Sequence, residues 1–382
     1  MPIRDSTIHG TRKPNAPLLS KRALNRALLA RQLLLCRSHD TVLAALTHLV
    51  GLQAQTPNAP YLSLWSRLKG FNPNKLTEFI LDRRVVRIAL MRGTIHSVTD
   101  SDCLELRPHF DRVLDRGLRG AFGKHLKGMN LKQVEAAARR LLNKRPLTFD
   151  ELGKLLARRW PDRDPAALAN SARALLPLIQ IPPRGAWGGG GPAAHVPAET
   201  WLGRSLCTAP ALERMMLRYL AAFGPASVRD VQAWSGLTGL RPILESMRPS
   251  LIAFMDEARN ELFDLPDAPR PDGDTPAPPR FLPVFDNVLL SHADRERILS
   301  ETHRKMLFGT AALLEGSLLV DGFVGAKWKI VQEPGRAVLS VQPFAALNKR
   351  DRAAISDEGV ELLKFALPAA EIQEICFTKP IG

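Results

Sequence analysis

Gln53 and Gln55 are separated by a single alanine in the run Gly51-Leu52-Gln53-Ala54-Gln55-Thr56-Pro57. Gly51 suits the end of a helix and Pro57 biases Thr56 toward extended backbone, so the residues between them are expected outside regular helix. In extended chain, side chains two apart point to the same side, and both amides would then face one cavity. Neutral amides are neither nucleophiles nor acids. They offer two carbonyl acceptors that orient a water molecule and place partial negative charge beside a developing cation. By themselves the three letters say little, since a solvated or capping amide pair is their commonest meaning. The chain has no H-E-x-x-H, no G-x-S-x-G, no phosphate loop with its lysine and no spaced cluster of carboxylates, so the familiar hydrolytic sites are not evident.

Other polar residues stand where they could serve such a site. Arg92, Thr94 and His96 fall in a strand region and suit phosphate contact or pocket lining, with a structural hydrogen bond an equal role for the lone His96. Asp286, His292 and Arg295 read as a polar network fixing a C-terminal sheet, with contact to a polyanion as their second role. Lys327 and Lys329 flank Trp328 and in a strand face away from it; the lysines suit phosphate contact and the tryptophan a core.

The elements that must position these groups follow from periodicity. Apolar residues Leu212, Met215, Met216, Leu220 and Phe223 make one helical face that stops at Gly224-Pro225. Ser227 with Asp230 forms a capping-box signature opening a second helix that ends at Gly236. A short helix over 240–247 follows, then alternating runs 251–255 and 261–265 around Ala258-Arg259-Asn260. Helix, helix, helix and hairpin describe a winged helix. The theme recurs upstream. Helices are expected at 147–160, opened by Thr148 and Glu151, and at 165–178, with strands 179–181 and 195–197 around the glycines 188–191. That tip is no phosphate loop, because no Lys-Ser/Thr follows it. A first unit has helices at 20–36, 41–52, 59–68 and 74–83 and strands at 85–91 and 94–99.

The expected fold is therefore α+β, mainly α: three tandem winged-helix motifs with a small C-terminal β-barrel-like domain. The divisions are a flexible lead 1–16, units 17–125, 126–208 and 209–265, a Pro-rich linker or mobile insertion 266–280, and a β-rich domain 281–382. In the last, strands are expected at 281–290, 318–323, 326–332 and 337–343, with a closing helix 351–366.

The chain has 382 residues, enough for two or three modules. With 53 Lys and Arg against 38 Asp and Glu its formal charge is +15, and arginines recur from Arg4 to Arg352, so a polyanion is the natural partner. Cys36, Cys103, Cys207 and Cys376 form no CxxC pair, which argues against zinc or a redox motif and fits free thiols in a reducing cytoplasm. No apolar run approaches the ~20 residues of a membrane helix, and the N-terminus lacks the apolar core of a signal peptide.

Four segments carry a more specific signal when taken together. They are Gly51-Leu-Gln-Ala-Gln, the run from Leu90 through Arg92, Thr94 and His96 to Thr99, the run from Leu282 through Asp286-Asn287 and His292 to Arg297, and Val320-Asp-Gly-Phe-Val-Gly-Ala-Lys-Trp-Lys. In this order, across roughly residues 20 to 365, they resemble the AlkZ/YcaQ family of bacterial DNA glycosylases. The resemblance implies the winged-helix fold above, monofunctional excision of alkylated purines from double-stranded DNA without metal or cofactor, and catalysis by the Q-x-Q pair, here Gln53 and Gln55. It also implies a monomer in the bacterial cytoplasm, associated with the nucleoid, and for its Q-x-Q branch the unhooking of bulky antibiotic adducts or crosslinks. The main alternative is a non-catalytic winged-helix DNA-binding protein such as a regulator, which shares charge and fold but has no use for the glutamine pair. An RNA-binding or scaffold protein has only the charge in its favour.

Overall fold

The computed structural model describes residues 16–308 and 315–381. The lead expected at 1–16 lies, but for residue 16, outside the described residues. Most helices begin where a short polar side chain turns back to cap them: Ser20 accepts from Ala23 N, Thr41 from Ala44 N and Asn348 from Asp351 N. Both expected capping boxes, Thr148 with Glu151 and Ser227 with Asp230, are formed reciprocally.

Strands expected to belong to two separate units form one antiparallel sheet of six. Its order is Leu52–Gln53, Ile95–Thr99, Val85–Ala89, Leu178–Gln180, Ala194–Pro197, Leu147–Thr148. The two halves join where Arg87 pairs with Gln180 and Ile88 with Ile179. Ile88 and Ile179 are both buried in the main core, so apolar burial across the join fuses the halves. Helices Asp111–Phe122 and Leu131–Lys144 fill a stretch for which no element was expected, and with Pro165–Leu175 they pack beside this sheet.

Helices Leu212–Phe223, Val228–Ser235 and Arg241–Ser246 lead into the hairpin Ile252–Asp256 and Glu261–Asp264. The short strand Leu18–Leu19 adds to its edge in parallel. The C-terminal sheet has five strands in the order Arg280–Leu282, Gly316–Val320, Phe323–Glu333, Arg336–Pro343, Ile372–Phe377, and helix Lys349–Ala366 packs on it through Ile355, Leu362 and Leu363. Its first and last strands do not pair with each other among the described residues, so the sheet is open. The strand expected over 281–290 stops at Leu282, because Asp286 accepts from Val288 N and turns the chain into a single 3-10 turn.

The segment 266–280, expected as a linker or mobile insertion, has no regular structure before Arg280, and arginines from the first helix hold its backbone: Arg31 Nε donates to Pro269 O at 3.2 Å and Arg26 Nε to Thr275 O at 2.6 Å. Arg270 Nη1 bonds Asp264 at 2.7 Å and Leu265 O at 3.0 Å. Its prolines and glycines leave carbonyls that composition marks as solvent-bound and that guanidinium groups satisfy instead.

Candidate active site

Gln53 lies on the edge strand of the six-stranded sheet, opposite His96. The chain reaches it through a tight turn: helix Val42–His48 ends, Gly51 N–H bonds Leu46 O at 2.8 Å, and Gly51 has φ +84°. A Cβ at Gly51 would stand 2.5 Å from Val98 Cγ1, so the close approach of the strands requires glycine here. Ala54 N–H continues the ladder to Ile95 O at 2.7 Å. The extended backbone expected of this segment is therefore present, but the two glutamines differ in surroundings. Gln53 is buried, 7% exposed, whereas Gln55 is open to solvent and its Oε1 accepts a long bond of 3.4 Å from Ile95 N. The pair runs from interior to surface rather than along one enclosed wall.

Arg92 fixes Gln53. It sits at the tip of the hairpin joining Val85–Ala89 to Ile95–Thr99, in left-handed backbone at φ +57°, a conformation that costs a non-glycine residue on the order of 1 kcal/mol. Its Nη2 donates to Gln53 Oε1 at 2.8 Å and to Asn287 Oδ1 at 2.9 Å, and Nη1 to Trp234 O at 2.6 Å. A guanidinium has only donors, so both amides must turn their oxygens toward it, and Asn287 Nδ2 is left for Gly51 O at 3.3 Å. Burial, with Arg295 nearby, lowers the Arg92 guanidinium to about 10, still cationic at neutral pH. Gly236, ending helix Val228–Ser235, admits this approach: a Cβ there would be 3.2 Å from Arg92 Cα. Of the two roles expected for Arg92, phosphate contact or pocket lining, its bond to Gln53 fits the second.

His96 is wholly buried. Its Nδ1 faces Thr94 O at 3.0 Å, an acceptor only, so Nδ1 carries the proton and Nε2 presents a lone pair. Burial and the Arg92 charge depress its pKa to about 3, so the ring is neutral. It cannot touch DNA in this state and acts as a neutral wall of the site. Thr94 donates its hydroxyl to Met91 O at 3.1 Å and closes the turn.

The network expected of Asp286, His292 and Arg295 is not formed. Asp286 is buried and takes two bonds from Arg67, at 2.8 and 2.9 Å, and one from Ser63 Oγ at 2.8 Å. It locks the C-terminal part onto helix Ala59–Arg67 and is closed to DNA. Asp286→Ala strands the Arg67 charge inside the protein and is expected to cost about 3–5 kcal/mol, measured by denaturant unfolding, with DNA affinity of the folded enzyme retained. His292 Nε2 bonds Phe223 O at 3.0 Å inside the core, and burial depresses its pKa to about 3. Arg295 is half-buried and makes no direct side-chain bond among the described residues. Lys327 is held by Glu315 at 2.7 Å, while Lys329 is the more open, at 55% exposed and 3.7 Å from Glu315. Trp328 lies in the core and donates to Leu282 O at 3.0 Å.

Asn287 is the site residue that sequence reasoning passed over. The available signal was a second amide beside Asp286 in one of the four motif segments. A cavity of about 610 Å³ lies elsewhere, between Lys21, Arg229 and the 252–264 hairpin, with side chains of both signs, and neither glutamine lines it.

A strongly basic α+β protein whose polar centre consists of amides, a neutral imidazole and a buried guanidinium has the character of an enzyme acting on nucleic acid. A family model described as DNA glycosylase AlkZ-like matches residues 46–365, and the chain belongs to the AlkZ-like DNA glycosylase family. Its fold is similar to that of the Streptomyces sahachiroi DNA glycosylase AlkZ, with a TM-score of 0.75 and 20% identity over 94% of this chain and 100% of that one. No curated protein matches it. The protein is a DNA glycosylase, and no described helix is long and apolar enough to cross a membrane.

Proposed function

We propose that the chain is a monofunctional glycosylase of the Q-x-Q branch that hydrolyses the N-glycosidic bond of cationic N7- or N3-alkylated purines in double-stranded DNA, with Gln53 and Gln55 as its catalytic residues. The observation that carries this reading is the fixing of Gln53 Oε1 by Arg92 at 2.8 Å, two residues from the exposed Gln55. Each amide oxygen has two lone pairs. Arg92 occupies one on Gln53, leaving the other to accept from a water molecule, and the Gln55 amide reaches the same face of the extended chain. Preorganised dipoles of this kind stabilise a sugar cation as it forms and orient the attacking water. A purine alkylated at N7 or N3 already carries positive charge and leaves without a proton. The target nucleotide must leave the stack to meet a site set in a sheet edge.

On this reading the shared six-stranded sheet with its helices, the winged-helix-like unit 209–265 and the C-terminal β-element form the surface along which a single chain, acting as a monomer, tracks a duplex. Arg295 and Lys329 are the phosphate contacts retained from the candidate set. Bulky antibiotic adducts and crosslinks are the lesions proposed for a cytoplasmic, nucleoid-associated enzyme of this branch. The reading is tested by incubating the protein with an N7-methylguanine duplex in the presence of chelator and measuring abasic sites. Their formation is expected, and their absence would refute it. Binding to undamaged duplex should weaken steeply as salt is raised, because neutralising phosphates releases counterions. A flat salt response in a titration would leave the charge of +15 without a role.

A further inference from the structure

Arg87 stands at the centre of the six-stranded sheet, paired across to Ser97 on one side and Gln180 on the other. It is 1% exposed, and no carboxylate pairs with it among the described residues. Nη2 donates to Ala54 O at 2.8 Å and to Gln180 Oε1 at 3.2 Å, while Nε and Nη1 have no hydrogen-bond partner. Burial, reinforced by Arg184, lowers the guanidinium to about 10, so it remains charged at neutral pH. An interior cation with two unmade hydrogen bonds costs stability, and such a group calls for a reason.

The glycine-rich loop over 182–191, which carries no phosphate-binding signature, closes over this group. Gly185 has φ +94°, and a Cβ there would overlap Arg87 Cδ and stand 2.9 Å from Nε. Glycine is what lets the loop backbone seal the guanidinium. Tyr61 donates its hydroxyl to Gly185 O at 2.9 Å, Trp187 N–H bonds Thr77 Oγ1 at 3.1 Å, and Arg184 Nη1 bonds Gly191 O at 2.8 Å. The Tyr61 and Trp187 rings meet at 4.9 Å.

We propose that Arg87, sealed beneath this loop, is a positioning residue for base excision: by holding the Ala54 carbonyl it sets the peptide that makes Gln53 and Gln55 share one face. The proposal rests on the catalytic reading of those two glutamines. Ala54 has both polar backbone atoms held, its N–H by Ile95 O at 2.7 Å and its carbonyl by Arg87. Gln55 has only the 3.4 Å bond from Ile95 N, too long to fix it unaided.

The test compares Arg87→Met and Arg87→Lys with the parent on a duplex carrying N7-methylguanine, reading single-turnover excision, DNA Kd and Tm, with Gln53→Ala and Gln55→Ala run alongside. Arg87→Met removes an unpaired buried charge at similar volume, so its Tm should match or exceed the parent's. It should bind DNA as before yet excise about ten-fold more slowly or worse, the scale of a misplaced catalytic group. Arg87→Lys, whose Nζ can donate to Ala54 O, should recover most of that rate. Parental excision by folded Arg87→Met, with slow glutamine variants, overturns the positioning role alone. Parental excision by the glutamine variants overturns the catalytic reading and this proposal with it. Should Arg87→Met not fold, Gly185→Ala decides the matter, because its Cβ displaces the guanidinium without removing it, and parental excision there likewise overturns the proposal.

Discussion

Gln53→Ala and Gln55→Ala are each expected to slow excision of N7-methylguanine by roughly 10² to 10³, the scale of losing one preorganised electrostatic group, with DNA affinity unchanged. The two variants should part company in stability. Gln53 accepts from the Arg92 guanidinium in a buried setting, so its removal leaves that N–H with Asn287 alone and should lower Tm. Gln55 is exposed, with one long bond, and its removal should leave Tm in place. Similar rate losses from variants of unlike stability would separate chemistry from folding. Single-turnover kinetics at saturating enzyme, beside thermal melts, makes the comparison. Near-parental excision by both variants would remove the pair from the mechanism.

The part of the site that local sequence carries is the pair itself. Gly51 and Pro57 bracket Gln53 and Gln55, and turn chemistry of that kind is written in neighbouring residues. What holds the pair is not local. Arg92 reaches Gln53, Trp234 and Asn287, so it joins three distant stretches of chain, and no neighbouring residue marks which of its expected roles, phosphate contact or pocket lining, it serves. Arg87 is hidden the same way, its side chain capped by a loop nearly one hundred residues on. The fold divides along the same line. Helices with a periodic apolar face, such as Leu212–Phe223 and the Ser227-capped Val228–Ser235, fall where their residues place them. The joining of strands from two units through Arg87 and Gln180 does not, because a register between remote strands leaves no mark at either one. The 266–280 segment shows the limit of composition: its carbonyls are satisfied by arginines, Arg26 and Arg31, that lie far back in the first helix.

The second large effect expected is selectivity for charged bases. Release of a normal or neutral purine requires a proton on the departing base, and among the described residues neither His96 nor Asp286 is placed to give one. His96 has a pKa depressed to about 3, so at neutral pH it is uncharged, and its single N–H is committed to Thr94 O. Protonating it would place a second charge beside Arg92, which itself stays cationic with a guanidinium near 10. Asp286 spends its oxygens on Arg67, Ser63 and Val288 N. On the proposed reading the positive charge of the alkylated base drives its own departure, with Gln53 and Gln55 easing the charge as it moves onto the sugar. One duplex sequence carrying N7-methylguanine, N3-methyladenine, uracil, 1,N6-ethenoadenine and 8-oxoguanine in turn, assayed for abasic sites over time, measures this. The two cationic lesions should be excised and the three neutral ones left in place. The rate on the cationic lesions should also stay level across neutral pH, since His96 has already lost its second proton well below that range and Arg92 keeps its charge well above it. Efficient release of 1,N6-ethenoadenine or 8-oxoguanine, or a rate on N3-methyladenine that falls as pH rises through neutrality, would show that a titrating acid takes part and that amides and water alone do not account for the reaction.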